Sequence, residues 1–177
     1  MLSALIIGFG AAVVSGCQAD ESIPVAPEPL LAMDADQMLI GIEHLIRRNG
    51  IRQARLMADT AYFWDDSTST ALRNINLTSF SETGAIRATV TAEEGTQDGD
   101  RMIARRNVVL VIPEEDRRIE SEELHYDPHQ DRIWSDSATV MYFGNQIIRG
   151  SSFQSDLDFR NVTVHDARTE SVGGDRR

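Results

Sequence analysis

The sequence predicts an antiparallel all-β body, and three observations predict it. Apolar and polar residues alternate over short runs, as at Ile86, Ala88, Val90 and Ala92, which is the period of a half-buried strand. Turn-forming groups ("DDSTS", "SETG", "EEGTQDGD", "PEED", "DPHQD", "FGN") recur along the chain with no helix-length periodic segment between them, the spacing of an all-β fold. A motif also repeats: "RLMADTAYF" (55–63), "RIESEELHY" (118–126) and "IRGSSFQS" (148–155) each carry an aliphatic residue, a small residue two later, then Asp, Glu or Ser, and then an apolar residue after one more. Their spacings correspond to two units and one unit of a period of roughly thirty residues, and "IARRNVVLV" and "WSDSATVMY" are offset by the same step.

Before this body, residues 2–14 are free of charge and rich in Leu, Ile, Val and Ala. The run is too short to span about 30 Å of hydrocarbon, but it suits the apolar core of a secretory signal. No Lys or Arg precedes it. The single cysteine follows at once, in Val14-Ser15-Gly16-Cys17. A lone cysteine makes no internal disulfide. The run resembles the lipobox of bacterial lipoproteins, which implies cleavage before Cys17 and acylation of its sulfur and new amino group. Export also accounts for a mature chain with no other thiol. Pro24, Pro27 and Pro29 then lie among small and acidic residues, a composition that favours an extended tether. The expected organisation is a signal peptide at 1–16, a lipidated tether at 17–35, a β-domain at 36–166 and a disordered tail at 167–177.

Within the domain, Met38, Ile40, Ile42 and Ile46 share one parity and run into Asn49-Gly50. Asp34 and Gly50 suit the ends of a helix, but β-branched residues before an Asn-Gly pair favour a hairpin. Further strands are expected around Ile75 and Leu77, from Ile86 to Ala92, and through Val108, Leu110 and Ile112. Others follow at Ala138, Val140 and Tyr142, and at Val162 and Val164. The repeated motif has an internal phase slip: Leu56 and Ala58 are even, whereas Ala61 and Phe63 are odd. Ile119 and Ser121 give way to Leu124 and Tyr126 in the same manner, and Ile148 and Gly150 to Phe153 and Ser155. A regular strand cannot change parity without turning its core face to solvent. Breaks are therefore expected at Asp59-Thr60, Glu122-Glu123 and Ser151-Ser152, as bulges or corners between sheets. Ala58, Ser121 and Gly150 would be small because backbone crowds there.

The charge of −11 argues against nucleic acid, which needs a basic face. All 17 basic residues are Arg, so Schiff-base and Lys-base chemistry are excluded. No phosphate loop or nucleophile elbow occurs. Glu93-Glu94, Glu114-Glu115 and Glu122-Glu123 are adjacent pairs, which in a strand point to opposite faces and form no dyad. His125, Asp127, His129 and Asp131 are two apart, but Asp127-Pro128 reads as a turn. No enzyme, metal or cofactor is expected.

"RQARLMADTAYFW", "GAIRATVTAEEG", "RMIARRNVVLV", "RRIESEELHYD", "RIWSDSATVMYF" and "RGSSFQSDLDFRNVTV" together resemble the LptC family of lipopolysaccharide-export proteins, over roughly residues 36–165. The resemblance implies an open, twisted antiparallel β-jellyroll, a two-sheet trough around an apolar groove for acyl chains. It implies lipopolysaccharide or a related glycolipid as cargo, an inner-membrane ABC transporter complex upstream, and a soluble periplasmic bridge of the same fold reached by β-strand addition. Many members are held by an uncleaved transmembrane helix; acylated Cys17 would replace it here, leaving the protein periplasmic and anchored, with the family role pointing to the inner membrane of a diderm bacterium. Gln18 stands where Asp commonly retains lipoproteins in that membrane. Parity places Val90, Val108, Leu110, Ile119, Tyr126, Ile133, Val140 and Phe153 along the groove. The competing expectation is a structural β-rich lipoprotein with a fully packed interior.

Overall fold

The computed structural model describes residues 35–171, apart from Asn49 and the side chain of Arg48. The expected signal peptide, Cys17 and almost all of the expected tether therefore lie outside the described residues. Six long strands come first: β1 Gln37–Arg48, β2 Ile51–Phe63, β3 Ser69–Phe80, β4 Ile86–Asp98, β5 Arg101–Ile112 and β6 Arg117–Asp127. Six short ones follow: β7 Arg132–Ser135, β8 Thr139–Phe143, β9 Gln146–Gly150, β10 Ser152–Ser155, β11 Thr163–His165 and β12 Arg168–Ser171. All pairings are antiparallel and join one 12-stranded sheet.

Each long strand breaks its ladder near the middle. Ile42 pairs with Ala58 and Ile40 with Thr60, with Gly41 and Asp59 skipped between them. Ala58 pairs with Ile75 and Thr60 with Arg73, leaving Asn74 out. The register then shifts between Thr91 and Glu94 on β4, and between Arg105 and Val108 on β5. Glu122 is skipped on β6. Gly41, Asn74, Arg106 and Asn107 all have positive φ, from 50° to 66°, the local backbone of a bulge that bends a strand. The skipped residues Gly41, Asp59, Asn74, Glu93, Asn107 and Glu122 are all exposed. Side chains tie neighbouring breaks together: Asn74 Nδ2 donates to Asp59 Oδ2 at 2.8 Å, and Asn107 Nδ2 to Glu93 Oε1 at 2.5 Å.

Joined across the strands, these breaks form a corner that divides the sheet into two leaves. The first leaf holds the part of each strand next to Gly50 and to the turns at 81–85 and 113–116. The second holds the parts next to the turns at 64–68, 99–100 and 128–131. At β6 the leaves separate: residues 117–121 pair with β8, while 125–127 pair with β7. The first leaf continues through β8, β9 and β12, the second through β7, β10 and β11. β9 and β10 meet at Ser151, whose Oγ lies 2.6 Å from Asp166 Oδ2. The ladder is thus interrupted where the three repeated stretches slip phase. A fourth copy of the pattern, missed in the sequence, is Val90, Ala92, Glu93 and Gly95 on β4.

One core lies between the leaves. Next to the corner small buried residues stand beside large ones on neighbouring strands: Ala58 and Ala92 flank Ile75, Ala61 pairs with Leu72 and Ala104 with Leu124. The small side chains make room for the large ones, and the core packs densely there. A Cβ on Gly150 would stand 2.6 Å from the His165 carbonyl oxygen. Ser121 exchanges a 2.8 Å hydrogen bond with Ser135, which is fully buried. Farther from the corner Leu56, Ile119 and Phe153 extend the core.

Three expectations need correction. Residues 168–171 of the supposed tail form β12 on the edge of β9. On β8 the inward residues are Thr139 and Met141, not Ala138, Val140 and Tyr142. Pairing to β6 sets that parity, and Thr139 tolerates burial because its hydroxyl donates to the Ser137 carbonyl at 3.0 Å. On β1 the shared parity of Met38, Ile40, Ile42 and Ile46 spans the corner at Gly41. Ile42 and Ile46 pack on the core while Ile40 is 71% exposed. Among the described residues β1 pairs only with β2, β11 only with β10 and β12 only with β9, so the sheet does not close into a barrel.

Candidate functional site

The leaves diverge away from the corner, and the core residues do not fill the space at their far end. A groove of about 630 Å³ remains, lined by Ala54, Leu77, Ala88, Val90 and Leu110 from the first leaf and by Met102, Tyr126 and Ile133 from the second. Phe80, Leu157 and Phe159 complete its apolar surface. The strand pattern explains the lining: these residues continue the inward parity of each leaf past the packed zone.

The rim is polar and of mixed sign, with His44, Arg47, Arg87 and Arg101 facing Asp100, Asp131 and Asp158. Arg87 pairs with Asp158 at 2.5 Å. Arg101 Nε lies 2.9 Å from Asp127 Oδ2, a carboxylate that is almost fully buried. That carboxylate also accepts from the backbone N–H groups of His129 and Gln130, at 2.9 and 3.3 Å. Burial of a charge is tolerated when it is satisfied in this way, and the result is a rigid turn beside the groove. Arg52 stacks over Phe80, 3.8 Å from the ring centroid.

Of the eight residues that parity placed along the groove, Val90, Leu110, Tyr126 and Ile133 line it. Val108, Ile119 and Phe153 are buried in the core and do not line the groove. Val140 turns away from the core, opposite Glu120 and Arg149. Parity identifies an inward side chain but not its distance from the corner, so packed and open positions read alike. Ala54, Leu77 and Met102 carry the alternation too and were legible in principle. Leu157 and Phe159 come from the irregular loop between β10 and β11, where no periodic signal exists.

The remaining candidates do not converge. His125 stacks on Trp134, with centroids 4.9 Å apart, and its Nε2 lies 3.1 Å from Glu123 Oε1. His129 faces Asp100 at 3.5 Å, and Asp131 accepts from the Leu157 N–H at 3.4 Å. Among the described residues no three His, Cys, Asp or Glu side chains come together as a metal site would require. What the arrangement offers is an apolar recess with a charged rim, open to solvent.

No curated protein sequence matches the chain. Among solved structures it is similar to the crystal structure of LptH, the LptA homologous periplasmic component of the conserved lipopolysaccharide transport device from Pseudomonas aeruginosa. The likeness has a TM-score of 0.50 at 16% identity, covering 63% of this chain and 80% of that one. It establishes the fold as the β-jellyroll of that neighbour. The model of the LptC-related lipopolysaccharide-assembly family matches residues 4–170, so the chain belongs to this family and shares its role in lipopolysaccharide transport.

Proposed function

We propose that the domain is a carrier that shields the acyl chains of lipopolysaccharide, or of a related glycolipid, in the groove between its leaves. The sugar remains outside in water. The observation that carries this reading is the unfilled apolar groove in an otherwise well-packed domain. Each methylene left in water costs about 0.8 kcal/mol, so a lipid with several chains needs such a shield to cross an aqueous space. No catalysis is invoked. Movement from one trough to a similar one is nearly isoenergetic, and an inner-membrane ABC transporter upstream supplies direction. The cargo then passes to a soluble periplasmic bridge of the same fold. The edges of β1, β11 and β12, which pair with no further strand among the described residues, suit docking by strand addition. A structural lipoprotein with a packed interior has no use for the groove, which favours the carrier.

The test is mass spectrometry of lipid that co-purifies with the chain from a lipopolysaccharide-producing host, for the wild type and for Leu77→Arg. The wild type should retain glycolipid and Leu77→Arg should lose it while remaining folded. Equal amounts of lipid on both would remove the groove from the mechanism.

The same reading places the protein at the membrane through acylated Cys17, since multiple acyl chains anchor stably where one does so marginally. Cys17→Ala should leave a soluble or uncleaved precursor on fractionation. A cleaved, membrane-bound mutant would rule out the lipid anchor.

A further inference from the structure

The groove mouth contains a short piece of the protein that is not part of either leaf. Between β10 and β11 the chain leaves the ladder at Asp156 and returns at Thr163. Within it Leu157 and Phe159 line the groove, and Phe159 is only 5% exposed. Between them the Asp158 carboxylate reaches Arg87 Nη1, on the opposite leaf, at 2.5 Å. Arg160 Nη2 touches the same carboxylate at 3.2 Å. The order of side chains is therefore apolar, anionic, apolar, with the anion on a rim arginine and the apolar groups in the recess. An anionic lipid entering the groove would present the same chemistry.

Two features make the loop removable as a unit. Its fold is internal: Asp156 accepts the Phe159 N–H through its carbonyl at 3.1 Å, and its carboxylate accepts the Arg160 N–H at 2.8 Å and Asn161 Nδ2 at 2.6 Å. Among the described residues its polar ties to the rest of the domain at the mouth are few and partly exposed, namely the Arg87 pair, with side chains 33% and 38% exposed, and a 3.4 Å bond from the Leu157 N–H to Asp131, while Phe159 and Leu157 hold it by apolar packing that an acyl chain can replace. Phe159 also has φ +58°, a conformation that bulky L-residues rarely adopt and that persists only while the surroundings hold it.

We propose that Leu157, Asp158 and Phe159 occupy the groove mouth as an internal stand-in for the cargo, and that Arg87 is the site for the lipid's anionic group. The proposal rests on the carrier reading above and deepens it. On entry, acyl chains replace Leu157 and Phe159, and a phosphate replaces the Asp158 carboxylate. A guanidinium accepts that exchange readily, because its fork of donors fits either anion bidentately. The loop swings outward intact, held together by Asp156. An empty groove is thus kept from exposing its apolar lining to other partners, and only an occupant that is both apolar and anionic displaces every contact the loop makes.

The experiment compares two dyes on the full chain: phenylnaphthylamine, which is neutral, and anilinonaphthalene sulfonate, which is anionic. Both Arg87 and Asp158 are half-exposed, so Asp158→Asn and Arg87→Gln leave the fold intact. Asp158→Asn frees the loop and keeps the arginine, so both dyes should bind roughly two- to fivefold tighter, the range of an exposed ion pair. Arg87→Gln frees the loop but removes the anion site. The neutral dye should then gain by a similar factor while the anionic dye gains nothing. If Asp158→Asn binds both dyes as the wild type does, the loop is not a stand-in, although the carrier reading stands. If Arg87→Gln tightens both dyes equally, Arg87 is not the anion site. Failure of either dye to bind any of the three proteins would sink the carrier reading, and this one with it.

Discussion

The two ends of the space between the leaves are built from the same strands yet packed to different degrees. Beside the corner the small inward residues Ala58, Ala61, Ala92, Gly95 and Ala104 stand against the large ones Leu72, Ile75 and Leu124 on neighbouring strands, and the space is filled. Toward the mouth the inward residues are again of both sizes, among them Ala54, Ala88, Leu77, Val90, Met102 and Tyr126, and the space remains open. At the tight end each small residue makes room for a large neighbour, as where a Cβ on Gly95 would stand 3.1 Å from Ile75 Cγ2. At the other end the side chains of the two leaves leave a groove of about 630 Å³ between them. A trough needs both: the tight end sets the angle between the leaves, and the wide end is the product of that angle.

One charge placed at each end should divide them most clearly. Val108 is 2% exposed in the packed zone, where an unpaired guanidinium costs several kcal/mol, on the order of the whole stability of a domain. Val108→Arg should show no cooperative thermal transition by circular dichroism. Val90 lines the groove, so in Val90→Arg the same group reaches water, and the domain should melt cooperatively while losing neutral-dye binding. Equal damage from both substitutions would mean that the groove is as closed as the core.

A smaller effect is expected from glycines at the two ends. In Gly150→Val the new side chain meets the His165 carbonyl and Val164; relieving that overlap requires backbone movement and should cost about 3 kcal/mol. Gly84, in the turn between β3 and β4, has φ +85°, and a Cβ added there would meet no atom within 4 Å. Gly84→Ala should therefore cost about 1 kcal/mol from backbone strain alone. Urea denaturation measures both. A Gly150 variant no worse than the Gly84 one would contradict crowding at the corner.

The least effect concerns the corner's outer surface. Asn74 adopts φ +50° and bonds Asp59. Asn74→Ala should lose about 1 kcal/mol by removing a hydrogen bond and straining the backbone, and Asn74→Gly should recover the strain component. Identical stabilities for Ala and Gly at this position would show that the bend does not depend on the left-handed residue.

Much of this architecture was legible because strand chemistry is local. Alternation marks a strand, Asn49-Gly50 marks a hairpin, and a phase slip in Leu56, Ala58, Ala61 and Phe63 marks a bend, since each depends only on neighbours along the chain. The copy on β4 is hidden because Gly95 offers no apolar side chain to complete the pattern. The acidic residue at each slip, Asp59, Glu93 or Glu122, is readable for the same local reason: it sits on the convex, solvated side.

Depth, by contrast, is set in three dimensions. Val90 and Val108 both face inward in alternating strands, yet one lines an open groove and the other is sealed in the core, because their distances from the corner meet different gaps between the leaves. Val140 failed for a related reason, its direction being set by the register of β8 against β6 rather than by its own hydrophobicity. Leu157 and Phe159 reach the groove through a loop whose path depends on Arg87, seventy-one positions from Asp158 in the chain. That strands form, where they bend and that their inner faces are apolar can be read from the chain alone, since these are matters of local sterics and solvation. Whether the inner space is filled depends on how far apart two bent leaves come to lie, which no short stretch of the chain encodes.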